Sequence, residues 1–97
     1  MLESSLEQSM RRYVRSCGGR AFKFVSPGTP GVPDRICVFP GARIVFVELK
    51  RPGVKDGRSP QQKKIGRLLQ SFGFEVWLIN DRQDFIDRLT RLGVRPL

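Results

Sequence analysis

Apolar residues recur at spacings of three and four between residues 2 and 17, at Leu6, Met10, Tyr13, Val14 and Cys17. This period predicts an amphipathic helix, which Gly18-Gly19 ends. The pattern then shifts to alternation. Ala21-Phe22-Lys23-Phe24-Val25 predicts a first strand that stops at Ser26-Pro27-Gly28, and a loop with three prolines and two glycines leads to Asp34. Residues 35 to 39 and 43 to 50 predict two further strands, joined into a hairpin by a tight turn at Pro40-Gly41. After a polar loop from Arg51 to Arg58, Ser59 is an N-cap, Pro60 the first helical residue and Gln62 the partner in an S-x-x-Q capping box. That second helix runs to about Phe72 and stops at Gly73. Residues 74 to 79 predict a fourth strand, and Asp81 caps a final helix through Phe85, Ile86 and Leu89 that ends at Gly93.

The order α-β-β-β-α-β-α defines an α/β class. The fourth strand follows a helix, so it is expected to enter by a crossover and make the sheet mixed. No internal repeat or linker divides the chain, and 97 residues with 39% apolar content suit one domain over 1 to 97. So small a domain has a thin stability margin, and homodimerisation is expected to help it.

Charge narrows the choice of partner. Eighteen Lys and Arg face nine Asp and Glu, a formal net charge of +9. Phosphate neutralisation rewards such a balance, so nucleic acid is the expected partner. No apolar run is long enough to span a bilayer and no signal-peptide pattern opens the chain, so membrane binding is not expected and a cytoplasmic location is. There is no histidine, and Cys17 and Cys37 stand far apart. A structural zinc site and histidine-based triads are thereby excluded, and the cysteines read as small core residues.

Chemistry concentrates at two strand ends. Glu48 and Lys50 share one face of the third strand, while Val47 and Leu49 take the other. Asp34 opens the second strand, and the hairpin would bring it beside Glu48. Two carboxylates and an ammonium suit metal-assisted phosphodiester cleavage, because Mg²⁺ takes one or two carboxylates and leaves its other positions to water and phosphate. Lys50 would orient or deprotonate the attacking water, or stabilise developing charge. The plain alternative is a surface ion pair between Glu48 and Lys50, with Asp34 as a turn residue.

Other positions add to this centre. At about 100° per residue, Glu3 falls at about 300° on the first helix, inside the apolar arc of roughly 220° to 320°, and Glu7 lies at its edge at about 340°. Either acid could reach inward, although Glu3 also suits a helix N-terminus. The capping box explains Gln62 but not Gln61. Lys50, Arg51, Lys55, Arg58, Lys63, Lys64 and Arg67 gather on the loop and the start of the second helix, as a backbone-tracking surface would. Arg11, Arg12 and Arg15 lie on the polar side of the first helix, where solubility accounts for them.

The segments Ser26-Pro27-Gly28, Gly31-Val32-Pro33-Asp34-Arg35, Val47-Glu48-Leu49-Lys50 and Ser59-Pro60-Gln61-Gln62, with an early helical Glu and a later G-F-x-V strand, closely resemble the VRR-NUC family of the PD-(D/E)xK superfamily. The resemblance covers residues 3 to about 80. It implies a restriction-endonuclease-like αβββαβ core with a mixed sheet flanked by helices, here extended by a C-terminal helix. It also implies Mg²⁺ or Mn²⁺ dependence, with Asp34, Glu48 and Lys50 catalytic. Glu3 would be the helix-one acid, the Leu49 carbonyl a further metal ligand, and Gln62 the family's glutamine. Arg35, Arg51, Lys55, Arg58, Lys63 and Lys64 are the candidate DNA contacts, and no small-molecule cofactor is implied. Stand-alone members of phages and bacteria resemble dimeric endonucleases that cut four-way (Holliday) junctions and other branched DNA. A monomeric flap or nicking nuclease and a non-catalytic DNA-binding module are the alternatives.

Overall fold

The computed structural model of the protein describes residues 3–50 and 56–97, with Glu3 and Ser4 described by backbone alone. Helix α1 (Glu3–Ser16) sends Leu6, Met10 and Val14, with Cys17 just beyond it, into the core. It closes in a Schellman turn, in which Gly19 N–H reaches the Val14 carbonyl and Gly18 N–H that of Arg15. Strands β1 (Arg20–Lys23), β2 (Arg35–Phe39) and β3 (Arg43–Leu49) form an antiparallel meander. The β2–β3 turn takes in Ala42 as well as Pro40 and Gly41, and both Gly41 and Ala42 have positive φ. Strand β1 ends two residues earlier than its alternation predicts. Phe24 still donates its N–H to the Asp34 carbonyl at 2.9 Å, but the Pro/Gly loop then draws the chain away.

Helix α2 (Pro60–Ser71) carries the chain across to β4 (Glu75–Ile79), which pairs parallel with β3, and α3 (Arg82–Arg91) follows. The sheet order is β1-β2-β3-β4. It is mixed, as the crossover requires.

Alternation divides the sheet into two faces. Cys37, Val45, Val47, Leu49, Trp77 and Ile79 face α1 and α3 and form one buried cluster with Phe85 and Leu89. Ile36, Phe46, Glu48 and Val76 point the other way, towards the layer of α2, where Gly66 lies close to Val76. Among the described residues no helix is long and apolar enough to cross a membrane.

Candidate active site

The site grows from the ends of β2 and β3. Arg35 pairs with Val47 in the antiparallel register, so Asp34 and Glu48 are the next facing positions. Asp34 is fixed by its own strand pair, because its Oδ2 accepts the Leu49 N–H at 2.7 Å. Lys50 leaves β3 at the same end, where its N–H donates to the Ile79 carbonyl at 2.9 Å.

Glu48 is the only buried charged residue among the described residues, 5% exposed. It lies between the hydrophobic Val47 and Leu49 in sequence yet points to the opposite face. Gln62, in the first turn of α2, donates Nε2–H to Glu48 Oε1 at 3.1 Å. The same side chain completes the capping box with Ser59 that the sequence predicts. Burial first, and then the adjacent Asp34, push the Glu48 carboxyl up to about 8 against the opposing charges of Lys50 and Arg58. No Lys or Arg forms an ion pair with Glu48 among the described residues.

Beside this pair opens a cleft of about 290 Å³ lined by Glu7, Lys23, Phe24, Val32, Pro33, Asp34 and Arg35. The loop that forms its wall is anchored on α2. Gly31 has φ +91°, and a Cβ there would lie 2.6 Å from the Gln61 carbonyl carbon and oxygen. The glycine is thus required both by its backbone conformation and by the close approach.

No family model matches the chain. Over 82 residues it is 44% identical to "Putative nuclease p44" of Acyrthosiphon pisum secondary endosymbiont phage 1, covering 84% of this chain and 85% of that protein. Its fold matches a solved "VRR_NUC domain" with a TM-score of 0.79 over 92% of this chain and 94% of the other, at 23% identity. The chain belongs to the VRR-NUC nuclease family.

In this VRR-NUC chain, Asp34, Glu48, Lys50 and Gln62 come together at one end of the sheet, as the strand register and the α2 cap require. The Glu3 side chain, Arg51 and Lys55 lie outside the described residues. Glu7, the second helix-one acid, turns its carboxylate to Arg35, which also reaches the Ala21 carbonyl at 3.4 Å. Arg35 is therefore tied into the fold beside the cleft. Arg58 is held by Asp56 through Nε at 2.8 Å and Nη2 at 2.7 Å, whereas Lys63 is half-buried and Lys64 exposed on α2. The Arg58–Asp56 pair had a sequence signal, an acid two residues before the arginine in a polar loop. The Glu7–Arg35 pair had only the position of Glu7 at the edge of the apolar stripe.

The donor set suits a divalent cation. A buried carboxylate is ordinarily ion-paired or bound to metal, and Glu48 has an amide partner but no ion-pair partner among the described residues. A second carboxylate beside it supplies the two acidic ligands that Mg²⁺ commonly takes, the remainder being water and substrate. No third His, Cys, Asp or Glu joins them among the described residues. The residues present fit Mg²⁺ or Mn²⁺ and do not fit a closed zinc site.

Proposed function

We propose that this VRR-NUC domain is a divalent-cation-dependent DNA endonuclease that cuts branched duplexes, four-way junctions among them, as a homodimer in the cytoplasm of a bacterium or phage-infected cell. The observation that carries the proposal is the buried Glu48, paired with no cation among the described residues and set beside Asp34, which lines a cleft.

In this scheme Asp34, Glu48 and the Leu49 carbonyl would hold the ion, with Glu3 as a further ligand. A bound Mg²⁺ or Mn²⁺ would acidify the attacking water and polarise the scissile phosphate. Lys50 orients that water or offsets the charge gathering on the phosphate oxygens. The water oxygen bonds to phosphorus, the bridging P–O bond opposite breaks, and the leaving oxygen takes a proton. Gln62 keeps the Glu48 carboxylate from rotating away from the ion, as groups behind metal ligands commonly do. Lys63 and Lys64, with Arg51, Lys55 and Arg58 on the preceding loop, receive backbone phosphates, and Arg35 holds the cleft wall. A second subunit is supported by the apolar side chains left exposed, Phe22 at 56% and Phe72 at 66%. Dimerisation would give two centres for two strands.

The test is cleavage of labelled four-way junction, flap and linear duplex DNA with Mg²⁺, with Mn²⁺ and with EDTA, together with the mass of the protein in solution. Cation-dependent cutting of the junction by a dimer, lost in Asp34→Ala and Lys50→Ala, is the expected result. Binding without cutting would make the chain a non-catalytic module. Cutting of flaps by a monomer would replace the dimer with a flap nuclease.

A further inference from the structure

Helix α1 packs its apolar arc against the sheet and α3, and its opposite side carries Gln8, Arg11, Arg12 and Arg15. These four side chains line an open groove of about 430 Å³. Three arginines elsewhere are ion-paired: Arg35 with Glu7, Arg58 with Asp56, Arg88 with Asp84. Arg82 stacks over the Tyr13 ring. Arg11, Arg12 and Arg15 have no hydrogen-bond, ion-pair or ring partner among the described residues.

The acid placed to neutralise Arg11 is Glu7, four residues earlier and in the favourable order for a helical Glu–Arg pair. Its carboxylate reaches across to Arg35 on β2 instead. Arg11 and Arg15 are themselves a like-charged i,i+4 pair, which disfavours the helix by a few tenths of a kcal/mol. A polyanion laid along it would relieve the repulsion.

Position completes the case. Glu7 lines the cleft that also contains Asp34. Arg11 and Arg15 follow at about 6 and 12 Å further along the helix axis, at about 1.5 Å per residue. A phosphate backbone leaving the cleft along α1 therefore meets them in turn. Lys63 and Lys64 lie on α2, on the other side of the sheet. A straight duplex seated along α2 does not extend over α1, whereas arms diverging from the cleft can follow both layers.

We propose that Arg11, Arg12 and Arg15 bind the backbone phosphates of a second arm of a branched DNA substrate. The proposal rests on the nuclease reading above, and names a contact surface outside its catalytic centre.

The experiment is equilibrium binding in EDTA of a labelled four-way junction and of a linear duplex, between about 50 and 200 mM salt, where phosphate contacts dominate affinity. The full chain is compared with a triple Arg→Ala variant at residues 11, 12 and 15 and with the triple Arg→Lys variant. The alanine variant is expected to bind the junction at least about tenfold more weakly, with a logarithmic salt slope shallower by about 1 to 3, roughly one unit for each phosphate no longer neutralised. Its duplex affinity should change little, and the lysine variant should keep the wild-type slope. The positions are exposed, so the circular dichroism should be unchanged and the thermal midpoint of the alanine variant no lower than that of the wild type. Unchanged junction affinity and slope would overturn this inference alone. Equal losses on junction and duplex would overturn the second-arm assignment. Failure of the wild type to bind either DNA would overturn it together with the nuclease reading.

Discussion

Gln62 serves two partners at once: its Oε1 accepts the Ser59 N–H at 2.8 Å while its Nε2 donates to Glu48 Oε1 at 3.1 Å. A helix cap and an acidic centre thus depend on one side chain. Starting α2 correctly also orients the carboxylate on β3.

The two roles separate by substitution. Gln62→Glu keeps an acceptor for Ser59 but sets a second carboxylate against Glu48, so the thermal midpoint should hold while cleavage falls about 10-fold to 100-fold, the range for groups behind metal ligands. Gln62→Ala should in addition lose about 1 kcal/mol of stability with the cap. Cleavage rates and unfolding curves for both variants decide it. Loss of stability without loss of activity would confine Gln62 to capping.

Asp34 is bound to the Leu49 N–H as well as facing Glu48. Asp34→Asn retains an acceptor for that N–H and should fold as the wild type does, yet lose more than about 100-fold in cleavage if the carboxylate is a metal ligand. Asp34→Ala should also cost about 1–3 kcal/mol, because it leaves a partly buried N–H without its acceptor. Urea unfolding beside activity measures both, and an active Asp34→Asn enzyme would remove Asp34 from the metal site.

Glu48 makes the stability of the metal-free protein depend on pH. Its folded-state carboxyl, pushed up to about 8 from an ordinary 4.5, holds a proton that the unfolded chain has released. Protons are therefore bound more by the folded state between these values, and stability in EDTA should fall as pH rises through that window. A divalent cation favours the ionised form, so the gain in thermal midpoint on adding Mg²⁺ should be larger at pH 8 than at pH 5. Glu48→Gln should flatten both trends. A pH-independent wild type, or a variant with the same slope, would refute the assignment.

Gly31 couples the cleft loop to α2. Gly31→Ala must both adopt a left-handed backbone, at about 1–2 kcal/mol, and displace the Gln61 backbone 2.6 Å away. A fall in stability exceeding the conformational cost alone, with weakened cation binding by calorimetry, is expected. An unperturbed variant would show that the loop seats elsewhere.

Local chemistry was legible in the sequence. The apolar period of Leu6, Met10 and Val14, the box formed by Ser59 and Gln62, and the glycines at 18, 73 and 93 act within a few residues, and each produced the predicted helix or helix end. Alternation along Val47, Glu48, Leu49 and Lys50 likewise set which side chains meet the core, and the hairpin brought Asp34 opposite Glu48. The family motifs follow these same short-range rules, which is why the sequence by itself determined the fold and the facing of Asp34 and Glu48.

Tertiary structure decided the partners. Glu7 and Arg35 are 28 residues apart, and only the packing of α1 across the β1–β2 end of the sheet makes them a pair. The choice leaves Arg11 uncompensated. Gln62 reaches Glu48 because the crossover lays α2 on the face opposite α1, and the burial of Glu48 arises from the same layering. Spacing along a chain fixes the direction of a side chain. Whether a charge ends in water, against an opposite charge or under a helix depends on how separate elements pack, and that is a sum over distant contacts that no local pattern carries.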